Sequence, residues 1–315
     1  MTNREVPVAP ISRVPLWLLS QGLLVAELCI YAACIQFACH WRCDAHFPLT
    51  LVATVLALIF IVRFCVALAS YVVSRWKGSP VPTAMHMGPL ASLRFFATEY
   101  SHLCIQNLIL IPFRHLFQTA SERGSSNAHG PVLLLQAGYV NNGAVWFFTA
   151  RALERDGFRV FTIDQPAFAS LDVMGELLAK RVDQVLTLTG EQNLTLVAHS
   201  MGGLICRAYL RQFGGSKVAQ LVTLGAPHHG TFHAYMASGP NGLQMRPSNR
   251  WLMKLGESPV TVPFTSIFSA HDTIISPQES SRMAEAVNLE IFGVGHVSMP
   301  SGKVTRRHLA AALQR

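Results

Sequence analysis

Leu196-Val197-Ala198-His199-Ser200-Met201-Gly202-Gly203 carries an apolar run into a small-x-Ser-x-Gly turn and on into a helical pattern. Few folds accommodate such a passage. A strand that turns this sharply into a helix holds the serine on strained backbone. The residues two before and two after it must be small, because the neighbouring strand and helix press on the turn. Ala198 and Gly202 meet that demand, with alanine where glycine is usual. The pattern predicts a strand, an elbow at Ser200 and a helix from Met201 to Phe213, and it marks Ser200 as a candidate nucleophile.

A serine hydroxyl is a weak nucleophile at neutral pH. It needs a histidine to take its proton and a carboxylate to orient that histidine and stabilise the imidazolium. Chains built around such an elbow supply these in the order Ser, acid, His. Val262 to Ser269 reads as a buried strand running into Ala270-His271-Asp272, with Ser276-Pro277 opening a helix. Asp272 therefore falls on a loop at a strand's carboxyl end. Leu289 to Gly295 reads as a last short strand ending in glycines, and His296 follows at once. Open α/β sheets gather their sites at the carboxyl ends of strands, so Ser200, Asp272 and His296 are expected to converge as nucleophile, acid and base. The alternative role for Asp272 is to cap the helix near Pro277. Asp164 ends an earlier strand, Asp172 starts a helix, and His228-His229 precede any suitable acid. His199 adjoins the serine, but neighbours on a sharp turn point apart, which favours a packing or hydrogen-bonding role over that of base.

Acyl chemistry also needs donors for an oxyanion. The amide of Met201, first in the helix after the elbow, is one candidate. The second is the amide of Tyr139, in the loop after the strand Pro131 to Gln136, where Gly138 lets backbone approach a substrate. A plain strand-to-turn glycine is the other reading of Gly138. Phe158 to Asp164, Asn193 to Val197 and Val218 to Leu224 are further β-rich runs. Helical patterns lie between them, at Val145 to Arg155, Leu171 to Thr189 and Met201 to Phe213. This alternation predicts a mostly parallel sheet covered on both faces.

Taken together, Leu-Gln-Ala-Gly-Tyr-Val-Asn-Asn-Gly (135–143), Val-Ala-His-Ser-Met-Gly-Gly (197–203), Leu-Gly-Ala-Pro-His-His-Gly-Thr (224–231), Ser-Ala-His-Asp (269–272) and Gly-Val-Gly-His (293–296) resemble the α/β-hydrolase family of bacterial triacylglycerol lipases and esterases. The resemblance implies an α/β-hydrolase fold over 130–315, the triad Ser200, Asp272 and His296, and oxyanion amides at Tyr139 and Met201. Ala137-Gly138 departs from the His-Gly or Pro-Gly usual in such lipases. Because the hole uses backbone amides, the departure touches the support of the donor rather than the donor itself.

The front of the chain is different. Val14 to Cys39 and Phe47 to Val73 are apolar stretches of more than twenty residues each, joined by the short polar stretch His40 to His46. A bilayer-crossing helix needs ~20 such residues, so residues 1–77 are expected to form a tail and a two-helix membrane hairpin. A cleaved signal peptide fits poorly, because the first run lacks a small-x-small exit and is followed by a second span. Glu27 and Arg63 lie near mid-span. Either they pair across the hairpin, or Arg63 snorkels and Glu27 is protonated. Arg4 and Arg13 precede the first span, Arg42 alone lies between, and Arg75, Lys77 and Arg94 follow the second. That bias puts the catalytic part on the cytoplasmic side of a bacterial inner membrane.

Residues 78–129 are expected to be a connector. Within it Leu90 to Phe117 is amphipathic, either along the bilayer or against the core, and Glu122 to Asn127 is a flexible loop. The insert at about 226–260 has an apolar surface suited to a short cap over an acyl pocket. Gly138, His199, His229, Met236 and Trp251 are the candidate substrate-binding residues. The seven cysteines show neither disulfide nor zinc spacing, and no metal or cofactor is expected. A net charge of +8, without a clustered basic stripe, suits anionic lipid surfaces rather than nucleic acid. The expected activity is a membrane-anchored serine carboxylic ester hydrolase acting on lipid or other acyl esters. A thioesterase or acyltransferase on the same residues is the nearest rival. A non-catalytic binding protein on a hydrolase fold is the rival from another class.

Overall fold

A computed structural model describes residues 14–38, 47–125 and 128–314. Arg4, Arg13, Cys39, His40, Arg42, His46 and Asn127, named above, lie outside them.

The two apolar runs form α1 (Leu16–Ala38) and α2 (Phe47–Trp76). By length and composition both are apolar enough to cross a membrane. Glu27 and Arg63 meet across the hairpin in a two-pronged pair, Nη1 to Oε1 and Nη2 to Oε2 both at 2.8 Å. Tyr31 donates a further hydrogen bond to Glu27 at 2.8 Å.

Leu90 to Phe117 is not one helix. α3 (Pro89–Ile105) widens into a π turn at Gln106–Leu110 and yields to a 3-10 turn at Arg114–Leu116. Pro112 lies at that break, and its ring and missing N–H do not suit a continuing helix. One side of α3 packs on α2 through Phe64 against Phe96 and Tyr71 against Phe95 and Phe96. The other side reaches the loops around Thr273 and Val297. The loop expected to be flexible at Glu122 is instead tied down. Glu122 is inserted between Arg114 and Thr162, because an acidic side chain largely withdrawn from water must gather donors.

The remaining elements are β1 (Val132–Gln136), α4 (Phe147–Arg155), β2 (Arg159–Ile163), α5 (Leu171–Thr189), β3 (Leu194–His199), α6 (Met201–Phe213), β4 (Val218–Leu224), α7 (Gly239–Gln244), α8 (Arg250–Gly256), β5 (Phe264–Ser269), β6 (Val287–Ile291) and α9 (Lys303–Leu313). The described residues build a wholly parallel six-stranded sheet in the order β2-β1-β3-β4-β5-β6. Period-two alternation divides its side chains. Leu134, Leu196 and Ala198 pack with Met174 and Leu178 of α5 and Leu204 of α6. Leu133, Leu135 and Val197 face the opposite way, onto Ala150 and Leu153 of α4 and Leu309 of α9. Both faces are therefore dry, which is why these strands read as continuous apolar runs.

The order reverses between β1 and β3, and a crevice opens where the two connections diverge. The loop after β1 and the elbow after β3 both leave at that point. Pro277 opens only a single 3-10 turn, Gln278–Ser281, rather than the expected helix. Between β4 and β5, α7, α8 and a 3-10 turn at Phe232–Tyr235 form a compact layer above the crevice.

Candidate active site

Ser200 lies between β3 and α6 at φ 59°, ψ −133°, a backbone region that a residue with a side chain enters only under constraint. Its amide is held by Leu224 O of β4 at 2.9 Å. A Cβ on Gly202 would come within 2.6 Å of Gln136 O and 2.8 Å of Ala137 O, so the second small residue is there because β1 passes directly beneath. Ala198 is fully buried.

Asp272 and His296 leave the carboxyl ends of β5 and β6. Asp272 Oδ1 accepts from the amides of Ile274 and Ile275 at 2.8 and 2.7 Å, which fixes the carboxylate plane. Oδ2 faces His296 Nδ1 at 2.8 Å, and His296 Nε2 lies 2.9 Å from Ser200 Oγ. A carboxylate only accepts, so Nδ1 carries the proton and Nε2 is free to receive one from the serine. All three residues are buried, with Ser200 the most accessible at 7 %.

His199 donates from Nε2 to the carbonyl of His296 at 3.1 Å, and the two rings stand 4.5 Å apart. Burial, then the nearby His296, push its pKa well below the ordinary 6.5, so it stays neutral and acts as a strut for the loop. Gly138 lies against the elbow, where a Cβ would overlap the Ser200 side chain. Met201 is the first residue of α6, so its amide has no intrahelical partner. The Tyr139 hydroxyl binds both N and O of Ser238 at 2.9 Å, pinning this loop to the layer above.

An apolar cavity of about 170 Å³ opens beside Ser200, with walls that include Tyr139, His233, Met236, Met245, Ile274 and Ile275. Of the five expected substrate-binding residues only Met236 stands in its wall, and Gly138 lies against the elbow instead. His199 is sealed beneath the triad. His229 turns outward to the carbonyl of Arg282. Trp251 gives its indole N–H to Asp172 at 2.7 Å and packs over α6. Apolar residues in a cap divide between cavity and packing according to which helix face they occupy, and linear sequence does not rank them. His233 was not foreseen as a wall residue, being one of thirteen histidines. Burial lowers its pKa.

Residues 131–241 match the family model of the alpha/beta hydrolase fold. Triacylglycerol lipases of Pseudarthrobacter phenanthrenivorans and Burkholderia plantarii are each 33% identical over 106 residues, which is 31% of this chain. The match spans only 33% and 29% of those relatives' own length. Among solved structures, the mature lipase BlEst2 of Bacillus licheniformis superposes with a TM-score of 0.54 at 16% identity, covering 59% of this chain and 95% of that one. At that identity the likeness concerns the fold. With its parallel sheet, its elbow and this partial similarity, the chain has the α/β-hydrolase fold, and 106 residues of it are similar to triacylglycerol lipases.

Proposed function

We propose that this protein is a membrane-anchored serine ester hydrolase that works through an acyl-enzyme. The observation that carries the reading is the unbroken run of contacts from Asp272 to His296 to Ser200 at 2.8 and 2.9 Å. Ser200 Oγ attacks the ester carbonyl as His296 Nε2 takes its proton, and Asp272 steadies the resulting imidazolium. The amides of Tyr139 and Met201 receive the oxyanion. His296 returns the proton to the departing alcohol. Water, activated by the same histidine, then releases the acid and restores Ser200. The cavity beside Ser200 takes the acyl chain, since its walls offer apolar side chains and little that would bind a charged group.

Anchoring rests on α1 and α2. Leu23, Ile30, Leu49 and Ile61 turn outward, a surface that belongs in lipid. Trp76 closes α2 beneath Lys77, whose Nζ lies 3.8 Å from the ring centroid, a pairing suited to the membrane interface. The balance of Arg75, Lys77 and Arg94 against Arg42 supports a cytoplasmic position for the hydrolase part.

The test is a fluorescent fluorophosphonate applied to membranes containing the full-length protein. Wild type is expected to label and Ser200→Ala to stay dark, with ester turnover falling by about 10⁴-fold or more. Equal labelling of both proteins would refute the assignment.

A further inference from the structure

The His296 loop is held from outside the catalytic part. Glu99 of α3 is only 4% exposed. Its Oε2 accepts from Thr273 Oγ1 at 2.9 Å and from the amide of Val297 at 3.0 Å, and its Oε1 accepts from the amide of Ser298 at 2.9 Å. One carboxylate thus joins the residue after Asp272 to the two residues after His296. Thr273 Oγ1 also faces the His296 amide at 3.4 Å. About two turns further on, Gln106 Nε2 donates to the carbonyl of Val297 at 2.8 Å. Gly295 completes the arrangement, because a Cβ there would overlap the Glu99 carboxyl carbon. A buried charge needs full hydrogen bonding, and these three donors are charge-assisted and correspondingly strong.

We infer that Glu99 is a positioning residue for the triad, through which the connector helix α3 sets the spacing of the Asp272 and His296 loops. The inference rests on the proposed acyl-enzyme chemistry. Glu99 touches no reacting atom. Its effect passes through Thr273, Val297 and Ser298 to the imidazole, which must serve Ser200 in acylation and water in deacylation. The position of α3 is set in turn by Phe64 and Tyr71 of α2. The hairpin is therefore part of the site's framework as well as an anchor.

The test uses the full-length protein in detergent, with fluorophosphonate labelling to report both the number of competent sites and their rate, and with a p-nitrophenyl butyrate assay for kcat and KM. In Glu99→Gln the NH₂ group must face at least one N–H or O–H donor, and the loop shifts. The labelling amplitude is expected to be full, while labelling rate and kcat fall about 10- to 100-fold, since small misplacements of catalytic groups carry penalties of that order. KM is expected to stay within about twofold. Thr273→Val is expected to slow both rates, and Thr273→Ser to restore them. Wild-type rates in Glu99→Gln would overturn the inference, as would a reduced amplitude with a normal rate, the mark of a merely structural role. If Glu99→Gln does not accumulate, equal rates in Thr273→Val and Thr273→Ser would overturn it. Failure of the acyl-enzyme reading itself is distinguishable, because it shows as an unlabelled wild type.

Discussion

Ser200, Asp272 and His296 are legible in sequence because each follows a strand and the elbow restricts what surrounds it. Their neighbours are harder to read, since burial gives a histidine its character and burial is a property of the packed chain. His199 and His228 are both sealed from water, and burial holds each well below its ordinary pKa of 6.5. The unfolded chain takes up a proton at each near that pH and the folded chain does not. Stability is therefore full above about pH 6.5. It falls as pH drops below that value, by up to about 1.4 kcal/mol per pH unit for each histidine. His228 lies away from the triad, with Nε2 3.1 Å from Thr223 Oγ1, so it is the cleaner probe. His228→Gln is expected to flatten the acid side of the stability curve by about one histidine's share, read as the thermal midpoint in detergent at about pH 7.5 and 5.5. An unchanged slope would show that the acid sensitivity lies elsewhere.

α5 and α6 occupy the residues that sequence periodicity assigns to them, because their apolar faces are long and their ends are marked by Ser170, Gly190 and Gly214. The elbow between β3 and α6 is tighter than periodicity alone conveys. Gly202→Val would drive a side chain against the backbone carbonyls of Gln136 and Ala137, at the end of β1 and just beyond it. The expected result is a loss of about 1–3 kcal/mol in stability together with slowed fluorophosphonate labelling. In the hairpin, Glu27→Arg or Arg63→Glu leaves two like charges side by side. Each single variant is expected to reduce the amount of protein resisting alkaline extraction from membranes, and the double exchange to restore it. A double variant no better than either single one would refute the pairing as the source of stability. The connector was less legible. Its amphipathic pattern is met equally by a bilayer, by α2 or by the sheet-bearing part, and in the fold α3 uses both α2 and the loops that carry Thr273 and Val297.

Across the molecule, the cavity beside Ser200 joins residues from the β1 loop, the cap and the β5 loop, segments spread between residues 139 and 275. Ala237 stands in its wall. Ala237→Phe is expected to lower kcat/KM for longer acyl chains about 10- to 200-fold relative to acetyl esters, while fluorophosphonate labelling stays within a few-fold of wild type. A uniform change for all chain lengths would place the acyl group elsewhere. Strand and helix alternation, the elbow, the order of the three polar residues and the two apolar spans were all readable along the chain, because each is a local pattern of side-chain size and polarity. Which cap residues face the cavity, why Gly295 precedes His296 and what Glu99 does were not. The last two follow from contacts between residues nearly two hundred positions apart, and they come into being only when α3 docks and a buried carboxylate has to find its donors in another part of the fold.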